Sequence, residues 1–255
     1  LLDRNLRILW LSANARGAEK RVALCREILQ SSVICEDWEP QKKTEEKELF
    51  FLRGKGKWSA TQIYIDRPSK TLVDPSIESA GSGGNITGSH FDVIILDDIE
   101  DDKTAYSPTH RSRTRSWLRG TVYPMLDRAG ILVSVATRKH HDDIYHHMMA
   151  DPSYHVISEP AIKRWPDRYE PTTETVEGRE VLSGFELSDE GEVLWPEVRP
   201  MEYLLKERYS MGAALFSREF QNEVRNAEDL LFQAEWLESS LDSTLRFYQL
   251  PPTGD

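Results

Sequence analysis

The sequence predicts an α/β fold with a mostly parallel sheet and flanking helices. Apolar runs of strand length occur at residues 6–13, 93–96 and 130–137. Near-continuous apolar runs are typical of strands covered on both faces, as the strands of parallel sheets are. Segments with helical spacing or a helix-start signal lie between these runs. Alternating strands and helices of this kind favour an α/β architecture.

The first run, LRILWLSA, predicts a strand. In the following segment, ARGAEKRVALCREIL, Val22, Cys25 and Leu29 recur at helical spacing and predict a helix. Residues 41–48 are polar and charge-dense and predict a solvated helix or loop. LFFLR and TQIYIDR predict shorter strands. Residues 78–90 are rich in Gly and Ser and predict a turn or mobile loop.

DVIILDD predicts a second buried strand, with GILVSVAT as its parallel partner. Between them, Ser107 as N-cap and Pro108 as the first helical residue predict a helix over SPTHRSRTRSWLRGTVYPML. Strand, helix and strand with short joints predict a right-handed βαβ crossover. The next segment, DDIYHHMMA, predicts a short helix with two acids in its first turn.

The chain is predicted to be organised in four parts. Residues 1–162 form the α/β core. Residues 163–198 are polar, rich in Pro, Thr, Glu and Gly, and predict a hairpin or excursion. Residues 199–227 return to helical periodicity and predict one or two helices that cap the sheet, and residues 228–255 predict a linker.

Composition excludes several classes of protein. The 255 residues carry a net charge of −11, so contact with nucleic acid is expected to be local rather than through one broad basic face. Two cysteines are too few for a disulfide framework or a four-cysteine zinc site, which favours a reducing cytoplasm. No apolar run is long enough to span a membrane. Leu1 lies almost directly before a strand, which indicates a fragment.

Asp97 and Asp98 follow a buried strand, at the sheet edge where α/β proteins bind ligands. One carboxylate at this place can hold Mg²⁺ on nucleotide phosphates, and an adjacent one can accept a proton from attacking water. We therefore expect Asp97 on the metal side and Asp98 as catalytic base; because aspartate is one methylene shorter than the commoner glutamate, activity then requires a slightly closer water or help from Glu100. The alternative is a solvated strand end and helix-capping turn.

Thr137 and Arg138 end the neighbouring predicted strand and can sense a γ-phosphate in the same crevice. Alternatively, Thr137 only caps the following helix. No G-x-x-x-x-G-K-[ST] loop occurs in the chain. The nearest segment, ARGAEKRV, has Glu19 in place of the second glycine and Arg21 in place of the hydroxyl residue, so it predicts a plain β–α turn.

A basic segment without acids extends over residues 103–120. Its arginines are candidates for contacts with DNA phosphates or with another subunit: Arg111, Arg113, Arg115 and Arg119. The alternative is a solvated helix face that balances the nearby acids. The histidines of KHHDDIYHH, together with its two aspartates, can bind zinc, or they are surface residues of a short helix.

The order of these motifs resembles the ATPase domain of tailed-phage terminase large subunits, the motors that package viral DNA. The matching pieces are ILWLSANARGAEKRV, GSGGNITGSHFDVIILDDIED, GILVSVATRKHHDDIY, EPAI, LWPE and LFSREFQNEV. They cover most of the chain, and TGSHFDVIILDD together with VATRKHHDDIY is the most specific pair. Many members of that family carry an arginine in the turn before the strand that corresponds to DVIILDD; in this chain the turn reads Gly88, Ser89 and His90.

The resemblance implies a P-loop NTPase-like (ASCE) fold in which Asp97 and Asp98 are the Walker B pair, with ATP as substrate and Mg²⁺ as cofactor. It implies that VATR couples hydrolysis to movement and that residues 199–227 form a small helical lid subdomain. The Walker A segment is then expected before Leu1, and an RNase H-like nuclease domain after Asp255. On its own the chain is expected to be inactive.

The resemblance further implies double-stranded viral DNA, a terminase small subunit and a portal protein as partners, and a homo-oligomeric ring on the portal. The expected location is the cytoplasm of an infected or lysogenic bacterial host, without membrane contact. Two alternatives remain open. One is a metal-dependent nuclease centre with Asp97, Asp98, Glu100 and Asp101 as ligands. The other is a degenerate, non-catalytic assembly module.

Overall fold

The computed structural model describes residues 3–30, 53–84, 86 and 88–224. By its internal contacts the chain divides into two compact units, Leu1–His155 and Val156–Asp255. The predicted polar helix or loop at residues 41–48 and the predicted linker at residues 228–255 lie outside the described residues. None of the helices in the described ranges is both long enough and apolar enough to cross a membrane.

The first unit is built on a mixed, mostly parallel sheet of six strands, which confirms the α/β prediction. Its order is β2-β3-β4-β1-β5-β6. Strands β4, β1, β5 and β6 run parallel, whereas β2 and β3 pair antiparallel. The strands are β1 Ile8–Ser12, β2 Arg53–Trp58, β3 Gln62–Ile65, β4 Ile77–Gly81, β5 Phe91–Asp97 and β6 Leu126–Val135.

Helices connect and cover these strands. They are α1 Ala15–Leu29, α2 Asp102–Ala105, α3 Pro108–Trp117, α4 Tyr123–Met125 and α5 Ile144–Met149, with a π-helical turn at Leu118–Val122 between α3 and α4. The predicted start of α3 is confirmed: the Ser107 side chain accepts from His110 N, and Pro108 is the first helical residue. Because β5 and β6 are parallel neighbours, the predicted β-helix-β unit is also present.

The core of this unit lies between the sheet and the α3–α4 segment. Leu9, Leu11, Ile94 and Leu96 are fully buried, and they pack in one cluster with side chains of the π-helical turn. Strand residues alternate between the two faces of a sheet, so Ile8, Trp10 and Ser12 face the other side. Helix α1 packs against β1 and β4.

Two sequence predictions are wrong in detail. Residues 78–81, predicted as turn or mobile loop, belong to β4, which pairs in register with β1. Gly81 allows a close approach, since a Cβ there would lie 2.6 Å from Ala15 N. The two acids predicted in the first turn of α5 precede that helix instead: Asp143 is its N-cap and accepts from His146 N.

The second unit contains two small sheets and two helices. Its elements are β7 Ile162–Arg164, β8 Tyr169–Val176, β9 Arg179–Leu187, β10 Glu192–Val193, α6 Met201–Met211 and α7 Ala213–Phe220. Strands β8 and β9 form an antiparallel hairpin in the section predicted as a hairpin or excursion, and β7 pairs with β10. Ile162, Leu204, Leu205 and Phe216 are buried in the core of this unit.

Candidate functional site at the carboxyl edge of the sheet

Strand β5 ends where the sequence places the two neighbouring acids. Asp97 is the last residue of the strand and is in register with Ser12 of β1 and Val135 of β6. Asp98 follows with a φ of 47°, the left-handed region that few non-glycine residues adopt. Its N–H donates to Val135 O, and its carbonyl accepts from Ala13 N, both at 3.0 Å. Asp98 is therefore held between the ends of β1 and β6.

The structure brings together Asp98 and Thr137, two residues predicted from different strands. Thr137 N donates to Asp98 Oδ1 at 3.2 Å. The alternative role of Thr137 as the cap of the next helix is wrong, because Asp143 caps α5. The end of β5 and the loop after β6 thus meet through a carboxylate and a backbone amide.

Asp97 is engaged by residues on the α1 side of the sheet. Its Oδ2 atom accepts from Trp10 Nε1 at 3.2 Å and from Arg21 Nε at 3.0 Å, and its side chain is 17% exposed. Sequence reasoning missed both partners, which lie far from Asp97 in the chain. The only signal was the place of Arg21 in the segment ARGAEKRV, where it replaces a hydroxyl residue.

Arg138 contacts its own loop. Its Nη2 atom donates to the carbonyls of His140 at 3.3 Å and His141 at 3.1 Å, and Nε lies 3.5 Å from Asp143 Oδ1. Asp143 is fully buried and also accepts from the backbone amides of Lys139 and His140. The structure therefore gives Arg138 a part in shaping the loop after β6 rather than a contact with Asp98.

Glu100 joins the loop after β5 to the start of α5. It is buried; its Oε2 accepts from Ile144 N at 2.9 Å, and its own N–H donates to Tyr145 Oη at 3.3 Å. Burial raises the pKa of the Glu100 carboxyl, and the bond from Ile144 N offsets this only in part. Oε1 makes no hydrogen bond with any described residue.

The four acids proposed as a nuclease centre turn to different partners. Asp97 bonds Arg21, Asp98 bonds the Thr137 amide and Glu100 bonds the Ile144 amide. Asp101 caps α2 by accepting from Thr104 N, which lowers the pKa of its carboxyl. Across residues 3–30, 53–84, 86 and 88–224, no group of three or more His, Cys, Asp or Glu side chains is arranged to hold a metal.

The donor atoms of the site bear on two metal ions, Mg²⁺ and zinc. The donor set of the sheet edge, carboxylate oxygens, fits Mg²⁺ bound through one protein carboxylate together with nucleotide phosphates and water. It does not form a cage that would hold the ion alone. The histidines near α5 likewise form no such group within the described part of the chain.

The arginines of the basic segment divide into two pairs. Arg111 is buried; its Nε lies 3.2 Å from Asp142 Oδ2, and Nη1 donates to Ala105 O at 2.6 Å. Arg115 Nη1 lies 3.2 Å from Asp142 Oδ1. Arg113 and Arg119 are exposed. The segment is thus neither one solvated face nor one basic surface.

Asp142 is the centre of an ion-pair cluster that also includes His147. Burial alone would raise the pKa of the Asp142 carboxyl, but bonds from His147, Arg115 and Arg111 outweigh it and lower this pKa to about 2. His147 Nε2 lies 2.9 Å from Asp142 Oδ1 and 2.8 Å from Arg115 Nη1. The nitrogen can donate to the carboxylate or accept from the guanidinium, but not both at once.

Fold and site together define an α/β protein with an acidic edge at the carboxyl ends of its parallel strands. No protein-family model matches the chain, and no curated protein shows significant similarity to it.

Proposed function

We propose that the chain is part of an ATP-driven DNA-packaging motor of the terminase large-subunit type, with a P-loop NTPase-like core, and that Asp98 is its catalytic carboxylate. One observation carries the proposal: the Asp98 carboxylate meets the amide of Thr137 across two neighbouring parallel strand ends. The motif resemblance assigns hydrolysis to the first of these ends and coupling to the second.

The proposed chemistry needs a base beside the water that attacks the γ-phosphate. Asp98 supplies that base, and its left-handed backbone turns it toward the end of β6 rather than along β5. The backbone amide of Thr137 donates a hydrogen bond to Asp98, so a change in the position or protonation of Asp98 alters a contact of the loop after β6. The Thr137 hydroxyl is proposed to sense the γ-phosphate.

Mg²⁺ would neutralise charge on the phosphates, and Asp97 is the residue proposed to hold it. In the structure Asp97 Oδ2 is occupied by Arg21 and Trp10. Both contacts fall on one of the two carboxylate oxygens, and the positive charge of Arg21 offsets part of the negative charge that would attract Mg²⁺. The proposal therefore expects the Arg21–Asp97 contact to weaken when nucleotide and Mg²⁺ bind.

A phosphate-binding loop must come from outside these residues, because the 255-residue sequence contains none. The sheet has space for a further strand that carries such a loop. In the described part of the chain β6 is the last strand of the sheet, and its outer edge pairs with no other strand. The purified 255-residue chain is accordingly expected to show no ATP turnover, and measurable turnover would contradict this part of the proposal.

The decisive test uses Asp98→Asn in a form of the protein that carries a phosphate loop. Hydrolysis is expected to fall by about 10²–10⁴-fold, while binding of a fluorescent ATP analogue is retained. Asp101→Asn is the matched control, since asparagine caps a helix as well as aspartate does. Loss of binding in the Asp98 variant, or equal hydrolysis in both variants, would reject the assigned role.

The Arg21–Asp97 ion pair favours a second candidate, a non-catalytic assembly module in which an arginine has replaced the metal. This candidate predicts that Arg21→Gln lowers stability without improving Mg²⁺-dependent ATP binding. The motor proposal predicts stronger Mg²⁺-dependent binding in the same variant, because Asp97 is released. Titration with ATP in the presence and absence of Mg²⁺, on a form of the protein that carries a phosphate loop, separates the two.

A further inference from the structure

The side of α3 that faces solvent carries arginines and hydroxyls. We call it the outward stripe; its residues are exposed, and the last of them lies in the π-helical turn that follows α3: Thr109, Ser112, Arg113, Ser116 and Arg119. No acid occurs within residues 103–120. In a chain with a net charge of −11 this is a local patch of positive charge.

The two pairs of arginines explain why the stripe is free to bind a ligand. Arg111 and Arg115 are held by Asp142 and thus fix the rotation of α3 about its axis. Arg113 and Arg119 are exposed, and neither makes an ion pair with a described residue. Arg119 has an acid in its vicinity, Asp151, whose pKa is lowered mainly by hydrogen bonds from Ser153 and to a smaller extent by Arg119. Their guanidinium groups are therefore available to an external anion.

We propose that the outward stripe binds the sugar-phosphate backbone of double-stranded DNA; the choice of DNA rests on the proposed motor function. The guanidinium group of arginine can donate two parallel hydrogen bonds to the oxygens of one phosphate, and serine and threonine hydroxyls often donate hydrogen bonds to phosphates. Arg113 and Arg119 are six residues apart, about 9 Å along a helix. This separation lets each arginine reach a different phosphate of one strand. Contacts to phosphates alone carry no sequence information, which suits a protein that moves along any DNA.

The inward arginines link the stripe to the candidate site. Asp142 holds α3, and the next residue, Asp143, holds Arg138 and the backbone of the loop after Thr137. DNA bound to the stripe therefore contacts a helix that is pinned to the loop beside Asp98.

The test measures binding of the 255-residue chain to a fluorescently labelled DNA duplex of arbitrary sequence, without nucleotide, across a series of salt concentrations. The Arg113→Gln/Arg119→Gln variant is expected to bind roughly tenfold more weakly at low salt. Its slope of log K against log salt should be smaller by about 1.8, or 0.9 per lost phosphate contact. Arg113→Lys/Arg119→Lys should retain most of the slope, because the charges remain.

Arg168→Gln/Arg179→Gln is the matched control. Both arginines are exposed in the second unit, and the change in net charge is the same. The proposal is overturned if the control loses as much affinity as the stripe variant, or if the wild-type chain does not bind the duplex. It is equally overturned, in favour of a contact between subunits, if only self-association measured by sedimentation changes. None of these outcomes depends on hydrolysis, so failure here is distinct from failure of the Asp98 test.

Discussion

Replacing Asp142 by asparagine tests the ion-pair cluster that pins α3. We expect Asp142→Asn to lower the free energy of unfolding by about 1 kcal/mol at pH 7. The shape of the side chain is nearly unchanged, so the loss reports on charge. Arg111 and Arg115 both lose their anionic partner, and Arg111 has only 8% of its side chain exposed.

The magnitude follows from the pKa shift. The pKa of the Asp142 carboxyl falls from 3.8 to about 2, and each unit corresponds to about 1.4 kcal/mol, or about 2.5 kcal/mol in all. A third of this side chain is exposed, so solvent screening reduces that figure to about 1 kcal/mol. This figure already includes the loss of the Arg111 bond, because that bond is one of the causes of the shift.

Urea denaturation at pH 7 measures the change, with Asp167→Asn as control. Asp167 is exposed, so its variant should lie within about 0.5 kcal/mol of the wild type. A double-mutant cycle with Arg115→Gln should give a coupling energy of at least about 0.5 kcal/mol.

The pH dependence has a defined sign. The pKa is lowered in the folded state, so the stabilisation is present above pH 3.8 and is lost as the pH falls through about 2. The difference in the free energy of unfolding between wild type and Asp142→Asn should therefore decrease as the pH falls from 3.8 to about 2. If Asp142→Asn lost no more stability at pH 7 than the Asp167 control, the stabilising role of the ion-pair cluster would be refuted. Additive effects of Asp142→Asn and Arg115→Gln in the double-mutant cycle would refute it as well.

Three further predictions concern the first unit, each measured by urea or thermal denaturation. Arg7→Lys should cost about 2 kcal/mol, because lysine cannot reproduce the two bonds, at 3.0 and 2.8 Å, of the Arg7 fork with Asp92; an unchanged midpoint would contradict this. Gly81→Ala should cost about 1–3 kcal/mol, since its Cβ would meet Ala15 N at 2.6 Å, and stability equal to wild type would exclude that approach. Burial raises the pKa of Glu100, so the charged form of this side chain opposes folding at pH values above 4.5. Glu100→Gln should therefore be at least as stable as wild type at pH 7, and the difference in stability between the two should vanish below pH 4.5.

The parts of the fold that local signals encode were predictable. Apolar runs located β1, β5 and β6, and Ser107 with Pro108 located the start of α3. Strand β4 was not predictable, because its glycine and small polar residues favour turns. Its strand conformation comes from pairing with β1 and from the space that Gly81 leaves for the start of α1.

The candidate site shows the same division. That Asp98 and Thr137 lie close together followed from the rule that parallel strands end at one edge. The sequence allows the prediction that Arg111 and Arg115 lie on one face of the helix and Arg113 on another, since residues four apart share a face. It does not allow the prediction that Asp142 contacts that face, because Asp142 is 31 residues from Arg111 in the chain.

The sequence by itself determined the class of the fold, the strand that ends in Asp97 and Asp98, and the charge of the basic segment. These properties depend on hydrophobic periodicity and residue chemistry, which act over a few neighbouring positions. Only the tertiary structure decided that Asp97 pairs with Arg21 while Asp98 meets Thr137, and that Asp142 takes two of the four arginines. Such partners are chosen by packing between distant segments, where burial makes each charge find an opposite one.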